Sequence, residues 1–104
     1  MIELTDSNYK EVLLEKSEGL ILVDFWAEWC GPCKVLGPVF QRLSEKNPDV
    51  SFGKVNIDEV VEYTTLCGIR NIPTILFIKD GQVVDRTVGS VTETTIQEKI
   101  NSHK

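Results

Sequence analysis

No apolar run in the 104 residues is long enough to span a bilayer, and no basic patch or phosphate-cradling glycine loop appears anywhere in the chain. The formal net charge of −5 repels polyphosphates and anionic lipid, which excludes nucleic acid and membrane surfaces as partners. Internal repeats, linkers and low-complexity segments are missing too. The expectation is one domain, residues 1–104, with the 41% hydrophobic and 26% charged content of an ordinary globular protein. Met1 to Asp6 carries acidic residues where a secretory leader would be basic. Cysteine is scarce, three in all, and an odd number is no disulfide framework; a reducing, cytoplasmic location is expected. Zinc needs about four ligands, and the chain offers only Cys30, Cys33, Cys67 and, in a polar tail, His103. No metal is expected.

What is present is concentrated in Trp29-Cys30-Gly31-Pro32-Cys33-Lys34, between a strongly apolar run and an amphipathic one. Residues three apart on a helix share a face with Cβ atoms about 5–6 Å apart, a small adjustment from the separation a disulfide needs. If the first run is a strand and the second a helix, Cys30 sits at the helix N-terminus, where unpaired N–H groups favour negative charge and push its thiol below the ordinary value. Cys33, one turn in, faces the interior and gains less. The asymmetry makes Cys30 the attacking thiol and Cys33 the resolving one. A purely structural disulfide across so short a loop would constrain the unfolded chain little.

Cap-type residues Thr5, Asp6 and Ser7 precede an amphipathic helix from Tyr9 to Lys16, closed by Gly19. Leu20 to Ala27 has the near-continuous apolar pattern of a strand buried on both faces. Asp24 is the anomaly within it: a carboxylate there costs several kcal/mol if ionised and unpaired, so its pKa should rise. A helix follows from Cys33 to about Asn47, with Pro38 expected to kink it. Val50 to Ile57 reads as a strand with Lys54 its unexpected charge, and Asp58 as the cap of a short helix ending at Gly68. Cys67, at that helix end, reads as a small buried hydrophobe. Thr74 to Lys79 and Gln82 to Val88 are strands joined by the hairpin signal Asp80-Gly81. Thr92 caps a last helix ending near Ile100, and Asn101 to Lys104 is expected to fray. With a short strand at Ile2 to Leu4, this order implies an α/β sandwich whose sheet ends in a hairpin.

The segments Val23-Asp24-Phe25-Trp26-Ala27-Glu28-Trp29-Cys30-Gly31-Pro32-Cys33-Lys34, Lys54-Val55-Asn56-Ile57-Asp58 and Gly68-Ile69-Arg70-Asn71-Ile72-Pro73-Thr74, with Gly89, resemble the thioredoxin family over nearly the whole chain. The resemblance implies a central mixed five-stranded sheet flanked by four helices. It also implies a monomeric thiol–disulfide oxidoreductase that reduces client proteins, binds no cofactor beyond its redox-active Cys30/Cys33 disulfide, and is re-reduced by an NADPH-dependent thioredoxin reductase. By the same resemblance Asp24 moves the proton of Cys33 and Lys54 is its neighbour. Pro73 follows a cis peptide bond, and the Ile72 backbone pairs with an extended client segment. Trp29, Gly31, Pro32 and Gly89 complete the client surface, while Trp26 reads at least as well as core filler. Relatives that oxidise or isomerise disulfides usually carry histidine between the cysteines; Gly31-Pro32 lacks it, so reduction is the expected direction. Two departures stand out. Gly37 replaces the family's usual alanine at up to about 1 kcal/mol in a helix, and Cys67 stands where an aromatic residue is frequent, which leaves regulatory oxidation open. A non-catalytic binding subunit using the same surface is the alternative, and the intact pair with Asp24 argues against it.

Overall fold

The near-continuous apolar run of Leu20–Trp26 sets the architecture, because this strand lies at the centre of the sheet and divides its residues between two helical layers. A computed structural model describes residues 1–16 and 18–104. The elements are β1 (Ile2–Glu3), α1 (Tyr9–Glu15), β2 (Leu20–Trp26), α2 (Gly31–Lys46), β3 (Ser51–Asn56), α3 (Glu62–Leu66), β4 (Thr74–Lys79), β5 (Gln82–Val88) and α4 (Glu93–His103). The sheet order is β1-β3-β2-β4-β5: β3 runs parallel to β1 and β2, whereas β4 is antiparallel to β2 and to β5. This is the mixed five-stranded sheet with four helices that the resemblance implies.

Strand side chains alternate between faces. Leu20 and Leu22 point to one layer, with Leu36, Phe40 and Leu43 of α2 and Ile96 and Ile100 of α4. Ile21, Val23 and Phe25 point to the other, with Tyr9 of α1 and Tyr63 of α3. The next residue of the first series is Asp24, which the strand period therefore drives into the α2 side of the sheet.

The hairpin forms as expected: Asp80 at φ 53° and Gly81 at φ 79° make the two-residue turn with positive φ at both positions that suits the strand twist. Gly68, at φ 65°, ends α3, with Gly68 N–H donating to Thr65 O and Ile69 N–H to Thr64 O. α2 runs unbroken from Gly31 to Lys46 with Pro38 inside it.

Three local expectations are corrected. Asp58 does not cap α3, which begins at Glu62; the cap is the carboxylate of Asp6, accepting the N–H groups of Val61, Glu62 and Tyr63. Consequently Asp6 is not spent on α1, whose entry is held by reciprocal bonds between Thr5 and Asn8. Nor does the last segment fray at Ile100: α4 continues to His103, whose ring lies 3.0 Å from Asp85 Oδ2, and Lys104 lies 3.2 Å from Asp49.

Candidate active site

β2 ends at Trp26 and α2 starts at Gly31, so the chain turns over the sheet within four residues and sets Cys30 at the N-cap of α2. Pro32 fits the first helical turn because its missing N–H would have had no helical acceptor there. The first turn thus presents the Cys33 N–H, which donates to Cys30 Sγ at 3.2 Å. Cys30 and Cys33 form a disulfide with Cα atoms 5.3 Å apart, and both are buried. Their surroundings are apolar: Ala27 in the same cluster, with Trp26, Ile57 and Ile72 packed against it.

Ile72 comes from the turn before β4, where the Ile72–Pro73 peptide bond is cis. The Pro73 carbonyl accepts the Gly89 N–H at 2.8 Å, and Gly89 adopts φ 80°, which a residue with a side chain would resist. That bond continues the β4–β5 pairing one step beyond Thr74 and Val88 and keeps the end of β5 beside the turn that packs against the disulfide. Gly31 and Pro32 are exposed, and Trp29 is 67% exposed, a large apolar surface beside the cysteines. Its indole N–H donates to Asp58 Oδ2 at 3.0 Å. The residue read as a cap therefore orients this tryptophan instead.

Asp24 lies on the other side of the pair, 2% exposed, and its Oδ1 has no hydrogen-bond partner in the protein. Burial pushes its carboxyl up to about 7, with the Lys54 charge the opposing influence. Asp24 and Lys54 are aligned neighbours in the β2–β3 ladder. Lys54 does not close onto the carboxylate, however: its Nζ sits 4.8 Å from the centroid of the Trp26 ring, a cation–π contact. Asp24, Cys33 and Lys54 share a partly open cleft of about 420 Å³ whose lining also includes Glu28, Lys34 and Gly37.

Trp26, weighed as core filler, is only partly buried and forms a wall of this cleft. Sequence reasoning missed Glu28 and Lys34 as cleft residues and Asp58 as the partner of Trp29. The first two adjoin the cysteine motif, a usable signal, whereas nothing local distinguishes an aspartate that caps a helix from one that holds an indole.

Cys67 is half-buried against the α1/α3 layer, and burial pushes its thiol up, partly offset by Tyr63 and Arg86. His103 is engaged with Asp85 near Phe77. The four residues weighed as zinc ligands thus divide among three environments, and among the described residues no three His, Cys, Asp or Glu side chains converge.

With this geometry in hand, three comparisons are informative. A family model described as thioredoxin matches residues 1–102. A thioredoxin of Chlorobaculum thiosulfatiphilum is 44% identical over 102 residues, 97% of this chain and 94% of the relative. One of Bacillus subtilis strain 168 is 39% identical over 104 residues, 99% and 97% of the two chains. The X-ray structure of Fasciola hepatica thioredoxin superposes with a TM-score of 0.93 at 39% identity, covering 100% of both chains.

Proposed function

Because this chain belongs to the thioredoxin family, a family of thiol–disulfide oxidoreductases, we propose that it reduces disulfides in client proteins and is itself re-reduced by an NADPH-dependent thioredoxin reductase. The observation that carries this reading is the Cys30–Cys33 disulfide at the first turn of α2, with Cys30 Sγ accepting a helix N–H.

In the reduced protein the Cys30 thiolate attacks a client disulfide. A bond forms between Cys30 and one client sulfur, and the other client sulfur leaves as a thiolate. Cys33 then gives its proton to the Asp24 carboxylate and attacks Cys30, forming the intramolecular disulfide and breaking the bond to the client, whose second sulfur leaves and is protonated. The client gains two electrons and the Cys30/Cys33 pair loses two. Asp24 suits this role because burial holds its carboxyl up to about 7, near the operating pH. Lys54 tempers that rise without neutralising the acid.

The client docks on Trp29, Gly31 and Pro32 on one side and Ile72, Pro73 and Gly89 on the other, the Ile72 backbone pairing with an extended segment beside the disulfide. Residues 1–104 act as one domain and as a monomer in a reducing, cytoplasmic compartment. No helix of the described residues is long and apolar enough to cross a membrane. The test is reduction of a protein disulfide by the purified chain with NADPH and a thioredoxin reductase. Turnover that vanishes on Cys30→Ser supports the reading; client binding without turnover would make the chain a binding subunit.

A further inference from the structure

Gly37 stands one helical turn beyond Cys33 on the same face of α2, half-buried, in the wall of the cleft that reaches Asp24. A glycine inside a helix is unfavourable relative to alanine, so its presence calls for a reason, and two usual ones fail. The backbone there does not take a positive φ, unlike Gly68, Gly81 and Gly89. A Cβ built at position 37 meets nothing within 4 Å, so no close approach needs the bare backbone. What the missing side chain leaves is open space over the cleft.

That space matters because of what lies beneath it. Asp24 Oδ1 is buried without a partner in the protein. The charged and titratable groups around it are Cys33 and Lys34 from α2, Lys54 from β3 and Glu28 from the β2–α2 connection, while its β4 neighbour is the apolar Ile75. Lys54 leans on the Trp26 ring, so the walls formed by β2 and β3 carry bulky side chains. Only at Gly37 does the wall bear none. A cleft of about 420 Å³ with the Asp24 carboxyl, the Cys33 sulfur and the Lys54 ammonium on its walls meets the requirement for holding hydrogen-bonded water.

We propose that Gly37 is a positioning residue whose missing side chain keeps open a solvent inlet, through which the proton that Asp24 takes from Cys33 exchanges with bulk water. The proposal rests on the Asp24 reading above. In each turnover Cys33 loses its proton to the Asp24 carboxylate as the Cys30–Cys33 bond forms, and Asp24 returns to the carboxylate by passing that proton to water in the inlet.

The test is stopped-flow measurement, against pH, of mixed-disulfide formation at Cys30 and of client release by Cys33. It uses the full chain carrying Gly37→Ala, Gly37→Leu or Gly37→Gln, each alone and with Asp24→Asn. Gly37→Ala is expected to raise the denaturation midpoint and slow release slightly. Gly37→Leu and Gly37→Gln, which fill the inlet, are expected to slow release about tenfold, a fraction of what proton transfer contributes, and to move the release pH inflection upward, leaving mixed-disulfide formation unchanged. With Asp24→Asn in place, neither should slow release further. Folded Gly37→Leu and Gly37→Gln variants with the wild-type release rate and inflection would overturn the inlet. So would equal slowing in the Asp24→Asn background, which would mean a distorted α2. If Asp24→Asn alone released client at the wild-type rate, the Asp24 reading itself would fall.

Discussion

α2 and α3 both begin by presenting free N–H groups, and the two termini are satisfied in opposite ways. At α3 the carboxylate of Asp6 arrives from 55 residues away in sequence and accepts three N–H groups, from Val61, Glu62 and Tyr63. At α2 the acceptor is the sulfur of Cys30, local in sequence and chemically changeable. The carboxylate saturates its helix end and ties α3 to the segment before α1, so that terminus is a fastening. The sulfur is a weak acceptor as a disulfide and a strong one as a thiolate, so the same helix end favours the reduced, attacking form. A helix N-terminus becomes reactive here through what occupies it.

The largest expected effect breaks the reactive end. Cys33→Ser should abolish multiple turnover while Cys30 still attacks, so mass spectrometry should find client joined to Cys30; adducts forming in Cys30→Ser instead would reverse the roles. Next comes Asp24→Asn, which should slow client release at least about tenfold, since amide cannot accept the Cys33 proton. Stability should move the other way. Because burial raises the folded-state carboxyl to about 7, the folded form binds the proton more tightly than the unfolded one. Wild-type stability from this group is therefore intact below the unfolded carboxylate value and lost as pH rises toward and through about 7. Asp24→Asn removes that loss, so urea melts at neutral pH should show it unchanged or more stable by about 1–4 kcal/mol, with the gain shrinking in acid.

At the fastened end, the Tyr63 N–H, with those of Glu62 and Val61, holds the Asp6 carboxyl below its ordinary value against the cost of desolvation. Its stabilisation is present above the unfolded carboxylate range and lost as pH falls through the lowered folded value. Asp6→Ala should therefore lower the urea midpoint at neutral pH, leave the chemistry of Cys30 intact, and converge with wild type in acid. The smallest effect is expected of Cys67→Ala: reductase activity nearly unchanged and stability within about 1 kcal/mol, read by turnover and urea melts.

Local signals made much of this legible. The apolar run of β2 exposed Asp24 as an anomaly, the Asp80-Gly81 pair announced its turn, and Thr92 caps α4 as expected, accepting the Thr95 N–H. What could not be read depends on partners distant in sequence. Asp6 has the residue type and position of a cap for α1, and only the fold turns it to α3. Asp58 looks the same before α3 and serves Trp29. The final turn of α4 has a polar sequence that alone would fray, yet Asp85 and Asp49 hold His103 and Lys104. The resemblance put Lys54 and Cys33 beside Asp24, but the place of Gly37 in the same cleft could not be read, since Gly37, Lys54 and Asp24 come from three elements. Gly37 did stand out by residue type, as a helix glycine with no turn to make.

The contrast between the two termini is tested most directly by the pH dependence of alkylation of each cysteine in the reduced protein, followed by peptide mass spectrometry. Cys30, at the N-terminus of α2, should label first and follow a titration below the ordinary free-thiol value. Cys67, which burial pushes up, should label well after it and at higher pH. Cys30 labelling no faster than Cys67, or titrating as an ordinary thiol, would contradict the claim that the α2 terminus makes this sulfur the nucleophile.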